Sequence, residues 1–143
     1  ISHSYFEGEA DQNINLKNGF TEDEIWHWIR IAPMALPEGE FEILPAFEFL
    51  RLLHIPIKYY KAKANIEKYK DYYSYEISYP ELKRKLTIDF EKTVPYRILK
   101  WKEVDLNNPN RTSIATRLKS LKLPYWQLNH LGDERFRDSL GIK

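Results

Sequence analysis

Glu24 and His27 are the first residues whose types and spacing could do chemistry. In the stretch TEDEIWHWIR, which begins at Thr21, they stand three positions apart, and a helix would project both from one face. A glutamate and a histidine at this spacing are ligands in carboxylate-bridged metal sites, which need a second E-x-x-H motif and two more glutamates on long helices. The sequence contains a single E-x-x-H motif. A metal role is therefore the less favoured interpretation, and we predict no metal and no cofactor.

The same stretch has the features of a helix start. Thr21 and Glu24 match a capping box, in which the hydroxyl accepts from the N–H three residues on and the glutamate reaches back. Pro33 should end the helix. The apolar stripe follows the i, i+3, i+4, i+7 spacing through Ile25, Trp28, Ile29 and Ala32. We predict an amphipathic helix over residues 21–32, with Trp26 off its stripe as a surface for a protein partner.

Three pairs of acids could carry hydrolysis, because glycoside hydrolysis uses two carboxyl groups at a fixed separation. The acids of each pair are two residues apart, so that a strand would place both on one face: Glu7 and Glu9, Glu40 and Glu42, and Asp89 and Glu91. The face opposite the last pair is apolar, so a solvated outer face explains these acids. Motifs of serine hydrolases, zinc proteases and phosphate loops do not occur in the sequence. We predict a protein that is not an enzyme, with an acid-pair hydrolase as an alternative.

Tyrosines are concentrated in one part of the chain, since seven of the ten lie between Tyr59 and Tyr79. Two interpretations stay open. The rings can be ordinary cross-strand packing, or they can line a groove for lipid, sugar or peptide, because tyrosine joins a large apolar surface to a hydroxyl. Lysines between the tyrosines are also typical of single-stranded nucleic-acid binding. The formal net charge of +1 argues against a nucleic-acid partner.

Composition indicates a folded domain. The chain has 143 residues, of which 43% are hydrophobic and 15% aromatic, and a chain of this size can bury a core without a metal or a disulfide. The absence of cysteine excludes a thiol nucleophile and a disulfide framework. No apolar run reaches the roughly 18 residues of a transmembrane helix. Because the sequence begins at Ile1 inside an alternating stretch, we interpret residues 1–143 as one domain of a processed or trimmed chain.

Alternating hydrophobicity predicts a sheet of consecutive strands. The alternation covers residues 41–50, 59–67, 72–79, 85–91 and 96–104, with turn formers between most of these segments. In the first segment, Phe47 and Phe49 would continue the face of Phe41 beyond Pro45. The predicted fold class is mainly β (α+β): a curved antiparallel meander, or half-barrel, with one amphipathic helix.

The C-terminal part is less regular. Residues 112–123 fit either a helix or a last strand, and their β-branched residues favour the strand. Asp133 as an N-cap and Gly141 as a stop predict a short helix between them.

Five motifs follow one another along nearly the whole chain: SYFEGEAD, EDEIWHWIRIAPMALPEGEFEILPAFEFLRLLH, YPELKRKLTIDFEKTVPYRILKWKEV, ATRLKSL and YWQLN. In this order they resemble a group of uncharacterised, lipoprotein-like envelope proteins of gram-negative bacteria, some labelled "septum formation inhibitor Maf". The S-x-S-P-R-R motif of Maf nucleotide pyrophosphatases does not occur here. The stretch IDFEKTVPYRILKW also resembles the strand, P-x-R turn, strand pattern of LolA and LolB half-barrels, whose curved sheet holds lipid or an acyl chain. The resemblance implies that residues 1–143 are the C-terminal part of a larger exported protein. It also implies a location in the periplasm or at the outer membrane, lipid-anchored or peripheral.

The alternation and the resemblance together predict a non-catalytic domain whose curved sheet binds a lipid, an acyl chain or an envelope protein partner. The predicted lining is aromatic and consists of Phe47, Phe49, Tyr60, Tyr73, Tyr75, Phe90 and Trp101. The main alternative is a structural or assembly subunit that acts by surface contact through an exposed apolar patch.

Overall fold

The computed structural model describes residues 2–3 and 12–142. Its strands are β1 (Ser2–His3), β2 (Gln12–Asn13), β3 (Gly39–Ile43), β4 (Tyr60–Lys68), β5 (Tyr72–Tyr79), β6 (Arg84–Glu91), β7 (Ile98–Asp105) and β8 (Thr112–Thr116). Its helices are α1 (Glu22–Ile31), α2 (Phe47–Leu52) and α3 (Arg135–Leu140), with short 3-10 turns at Pro33–Ala35 and Tyr125–Gln127.

Strands β3 to β8 form one antiparallel sheet in chain order, curved and not closed into a barrel. The predicted meander and the mainly β class are therefore confirmed. The strands form where apolar and polar residues alternate, because successive side chains of a strand point to opposite faces. Every pairing joins neighbours in sequence, from β3 with β4 to β7 with β8.

The core lies between the inner face of this sheet and the helices. The inner face is built from Tyr60, Ala62, Ala64, Tyr75, Ile77, Tyr79, Leu86, Ile88 and Phe90, all buried. Ile25 and Ile29 of α1 and Leu50 of α2 pack against it, each fully buried. Burial of one such side chain contributes about 1.5–3 kcal/mol, so α1 is fixed on the sheet largely by its two isoleucines.

Helix α1 begins and ends close to the predicted bounds. Thr21 is its N-cap, the Glu24 carboxylate accepts from the Thr21 N–H at 3.0 Å, and the capping box is present. The predicted stripe was wrong at one position, because Trp28 is 38% exposed and its ring lies beside Phe20 with centroids 6.3 Å apart. The stripe that faces the sheet has the same spacing but begins three residues earlier, at Glu22, and consists of Glu22, Ile25, Trp26 and Ile29.

The prediction that one strand covers residues 41–50 was wrong beyond Ile43. Phe47 and Phe49 belong to helix α2, whose first backbone bond runs from the Leu50 N–H to the Ala46 carbonyl at 3.1 Å. Pro45 has no N–H to donate to a sheet ladder and is accepted just before a helix, so the chain leaves the sheet there. The apolar residues of this segment fit both the two-residue period of a strand and the 3.6-residue period of a helix. The helix buries Leu50 completely.

The C-terminal predictions are confirmed in part. Residues 112–116 form the last strand, whereas residues 117–124 have no regular structure. Helix α3 lies between the predicted cap and stop, and Gly141 ends it in the left-handed conformation with φ +75°. None of the helices in residues 2–3 and 12–142 is long and apolar enough to cross a membrane. The single domain over residues 1–143 stays a prediction.

Candidate functional site

An open groove of about 740 Å³ lies between the two helices α1 and α2 and the inner side of β6, β7 and β8. Its apolar lining consists of Trp26, Ala46, Phe49, Leu52, Leu53, Ile55, Leu82, Leu86, Trp101 and Val104. The loop between β7 and β8 adds polar side chains at one end, among them Asn107, Asn110 and Arg111. Both the volume and the mixture of an apolar lining with a few polar groups are typical of small-molecule sites, which measure about 300–1,000 Å³.

A buried ion pair forms one wall of the groove. The Arg84 guanidinium, 3% exposed, donates to both carboxylate oxygens of Glu22, 1% exposed, at 2.5 and 2.8 Å. The Tyr79 hydroxyl donates to the same carboxylate at 2.6 Å, and Arg84 Nε donates to Glu103 at 2.8 Å. The Arg84 guanidinium also lies over the Phe49 ring, 4.3 Å from its centroid. Each ionised group of this cluster therefore has a hydrogen-bond partner, and the two carboxylates share one cation.

The ionisation states of the cluster follow from burial and partners. Burial alone lowers the pKa of the Arg84 guanidinium, but hydrogen bonds to Glu22 and Glu103 outweigh it, and the net pKa lies above the ordinary value. Burial raises the pKa of the Tyr79 hydroxyl, and the negative charge of Glu22 raises it further. Arg84 is therefore a permanent cation and Tyr79 a permanent donor, and neither is suited to proton transfer near neutral pH.

Two elements place this cluster. The Glu22 N–H donates to the Leu44 carbonyl at 2.8 Å, which ties the start of α1 to the end of β3. On the sheet, Arg84 is the first residue of β6 and stands opposite Tyr79 across the turn from β5. The carboxylate of Glu22 thus meets a cation that lies 62 positions away in the sequence.

Trp26 and Trp101 form a second contact between α1 and the sheet. Trp26 follows Glu22 by four residues on the same helix face, and Trp101 precedes Glu103 by two on the same strand face. Their rings pack edge to face, with centroids 6.5 Å apart. The ion pair and the indole pair together fix the position of α1 along β7 and leave both indoles on the groove.

The predicted aromatic residues do not gather in one place. Phe49 and Trp101 line the groove, as does Trp26, which was predicted as a partner surface and is instead half-buried. Phe47 lies at the start of α2, where its N–H donates to Asp23 at 3.4 Å.

The other predicted lining residues lie on the inner strands β4, β5 and β6 of the sheet, away from the groove. Tyr60, Tyr75 and Phe90 are buried. The hydroxyls of Tyr60 and Tyr75 donate to the carbonyls of Pro56 and Pro37, both at 2.9 Å. Tyr73 is half-buried against Phe90, with ring centroids 5.8 Å apart. These side chains contribute packing and internal hydrogen bonds rather than contacts to the groove.

The acid pairs have partners other than each other. Asp89 accepts from the Ser74 hydroxyl at 2.7 Å. Burial by itself raises the pKa of Glu91, but hydrogen bonds from Arg117 and Arg97 outweigh it and the net pKa lies below the ordinary value. Glu91 is therefore held ionised, as a carboxylate in an ion pair rather than an acid for catalysis.

The acids Glu40 and Glu42 border a second, open pocket of about 380 Å³, whose lining also includes Lys61 and Lys63. Glu42 pairs with Lys17 at 3.2 Å on the surface, and Glu40 is exposed. Glu7 and Glu9 lie outside the described residues. His27 is exposed, and residues 2–3 and 12–142 contain no group of three acids, histidines or cysteines that could hold a metal.

The sequence interpretation missed Glu22 and Arg84. Glu22 received no role of its own, because it lies within the first turn beside the capping box. The burial of Arg84 could be predicted from the sequence. Arg84 lies an even number of positions from Leu86, Ile88 and Phe90 and so belongs to the same, buried face of β6. An arginine on a buried face requires a buried carboxylate, although its spacing cannot show which acid that is.

Comparisons with protein-family models, with curated proteins and with solved structures return no match. Function is therefore inferred from the geometry of the groove and from the resemblance described above.

Proposed function

We propose that the protein is a non-catalytic domain of an exported envelope protein that binds the chain of a lipid or another acyl compound in the groove beside α1. The observation that carries this proposal is the groove itself, an open cleft whose helix and strand walls present two indoles and several leucines. Such a surface favours an apolar ligand, because each Å² of apolar surface removed from water contributes about 25 cal/mol.

The apolar part of the groove is exposed where a ligand could cover it. Leu52 and Leu53, at the end of α2, are each more than half exposed although they border the groove. A domain gains stability when a ligand covers such residues. Elsewhere, the inner face of the sheet is already covered by the protein's own core. This supports binding at the groove rather than at the tyrosine-rich part of the sheet, where Tyr60, Tyr75 and Tyr79 are buried in the core and none of the seven tyrosines belongs to the groove lining.

The four tryptophans allow a direct test. The double variant Trp28→Phe/Trp126→Phe keeps the groove pair, Trp26 and Trp101, as the fluorophores. Bromododecanol, an uncharged chain that bears a quenching bromine, should reduce the fluorescence of this variant in a saturable manner, because bromine quenches indoles at contact distance.

The matched control is the variant Trp26→Phe/Trp101→Phe, in which the remaining indoles lie outside the groove. We expect weak, non-saturating quenching in this control. Equal quenching of the two variants, or none in either, contradicts binding in the groove. Native mass spectrometry after mild extraction provides an independent measurement, in which a bound acyl compound should be retained.

A second candidate function, a structural or assembly subunit that acts by surface contact, is favoured by a different observation. The segment after β8 exposes large apolar side chains, with Leu118 85% and Leu131 99% exposed and the rings of Tyr125 and Trp126 mostly exposed. This patch, rather than Trp26, is the apolar surface available to a protein partner. Truncation after residue 117 should abolish capture of an envelope partner from native membranes and leave quenching by bromododecanol unchanged.

A further inference from the structure

The acids that border the groove already have partners. Glu22 and Glu103 accept hydrogen bonds from Arg84. The Asp105 carboxylate accepts from the backbone N–H groups of Asn107 and Asn108, at 2.8 and 3.3 Å, and so stabilises the turn after β7. Glu48 pairs with Arg51 at 3.5 Å. Each of these acids is therefore already engaged by a donor within the protein.

Two cations at the polar end of the groove differ from these acids. Lys83 and Arg111 border the groove with exposed side chains. Within residues 2–3 and 12–142, neither side chain forms an ion pair or a hydrogen bond with the protein. The two charged side chains at this end that have no hydrogen-bond partner among the described residues are therefore both cations.

The backbone holds these two cations on the same short segment. The Leu106 N–H donates to the Lys83 carbonyl at 2.7 Å. The N–H of Asp105, the residue before Leu106, donates to the Arg111 carbonyl at 3.2 Å. The Arg111 N–H also donates to the Asn108 carbonyl at 2.8 Å. Lys83 and Arg111 therefore flank consecutive residues of β7 and its loop, at the same end of the groove.

We infer that the ligand of the groove is a single-chain amphiphile with a carboxylate head, a fatty acid, whose head contacts Lys83 and Arg111 and whose chain runs along Trp101 and Phe49. This inference rests on the proposed function, because it requires a chain in the groove. Arginine and lysine both donate charge-assisted hydrogen bonds to a carboxylate, and arginine can do so with two parallel bonds. The amides of Asn107 and Asn110 border the same end and can donate to the head as well.

The recognition must be local rather than a long-range attraction. The lining includes four acids and three bases, so its total charge does not attract anions. An anion is favoured because the acids of the lining already have hydrogen-bond partners within the protein. The side chains of Lys83 and Arg111 have no such partner among the described residues. The preference for a carboxylate should therefore depend on these two side chains and be weakened by salt.

The test compares three twelve-carbon probes of different head charge: dodecanoate, dodecanol and dodecyltrimethylammonium. Each competes with bromododecanol for the protein that carries Trp28→Phe/Trp126→Phe, at a pH at which the carboxylate is ionised. Dodecanoate should bind roughly 3- to 20-fold more tightly than dodecanol, the range expected for two exposed charge contacts. The double substitution Lys83→Gln/Arg111→Gln should remove that advantage and leave the affinity for dodecanol within about twofold.

The matched control is Lys61→Gln/Lys102→Gln, which removes two exposed cations that do not border the groove. It should leave the preference for dodecanoate intact. Equal affinities for dodecanoate and dodecanol, or the same loss of preference in both double variants, overturn the carboxylate contact while the proposed function stands. Failure of all three probes to displace bromododecanol, or tighter binding of the ammonium, also overturns the inference, and absence of any binding removes the proposed function with it.

Discussion

Replacement of Arg84 by methionine tests the structural role of the buried ion pair. Methionine keeps much of the volume and removes the charge. Among the described residues, the Tyr79 hydroxyl would then be the one remaining donor to Glu22, which is 1% exposed. Loss of one partner of a buried ion pair costs about 3–5 kcal/mol, because the other charge stays buried without compensation. The lost contact to the Phe49 ring adds about 0.5–1 kcal/mol. We expect a total loss of about 4 kcal/mol of unfolding free energy, a large part of the roughly 5–15 kcal/mol of a native domain.

The second variant, Glu22→Gln, separates charge from packing. The glutamine carbonyl can still accept from Tyr79, and Arg84 keeps its bond to Glu103, whose side chain is 31% exposed. We expect this change alone to cost about 2 kcal/mol, as for a weakened charged hydrogen bond. The combination Glu22→Gln/Arg84→Met should cost only about 2–3 kcal/mol, because no charge is then buried alone.

Urea unfolding, followed by tryptophan fluorescence and circular dichroism, measures the unfolding free energy of the unsubstituted protein, the two single variants and the double variant. The control is Lys85→Met, which breaks the pair with Glu76 on the outer face, where both side chains are more than a third exposed. That pair should contribute less than about 1 kcal/mol. A loss below about 1 kcal/mol for Arg84→Met, or a double variant that loses the sum of its two single changes, would refute the assigned role of the ion pair.

Three further predictions follow from local contacts. Glu91→Gln should make the unfolding free energy fall less steeply as the pH is lowered. The lowered pKa of Glu91 contributes stability above the ordinary glutamate value of about 4.3, and this stability is lost as the pH falls through the folded value. An unchanged pH dependence of the unfolding free energy in acid, measured by urea titration, contradicts this. Burial raises the pKa of Tyr75 and Tyr79, so both should stay protonated above pH about 10 until the domain unfolds, and stability should fall there. Phenolate absorbance checks this, and ionisation of all tyrosines in the folded state speaks against it. Thr21→Ala should lower the unfolding free energy by about 1 kcal/mol through loss of the cap, and an unchanged urea midpoint would contradict the cap's contribution.

The sheet could be predicted from the sequence because each strand carries its own signal. The alternation of Leu86, Ile88 and Phe90 with polar residues is a property of eight consecutive positions, and it gave the correct inner face of β6. The same holds for α1, whose start is marked by Thr21 and whose end is marked by Pro33. Hydrophobic periodicity and capping residues are sufficient to predict a strand or helix whose own residues determine its structure.

The groove could not be predicted in this way, since its walls meet only in the folded chain. Phe47 and Phe49 fit a strand and a helix equally well, and the choice depends on the burial of Leu50 against the sheet. Trp26 was placed off the stripe because the true stripe begins with a charged residue, Glu22. The partner that allows this charge to be buried, Arg84, is recognisable only by its parity in another element.

The strand order also has a consequence for how the chain folds. Because the six strands pair only with their neighbours in sequence, the sheet can form by successive hairpins that close short loops. The contact between Glu22 and Arg84 closes a loop of 62 residues and requires β6 to be in place. We therefore expect α1 to dock after the transition state for folding, so that Arg84→Met accelerates unfolding while the folding rate changes little. A chevron plot measures both rates, and a mainly slower folding limb would instead place α1 in the nucleus. If α1 docks after the sheet, it would also detach before the sheet opens, so the wall of the groove that carries Trp26 would open at a lower free energy than strands β4 to β7.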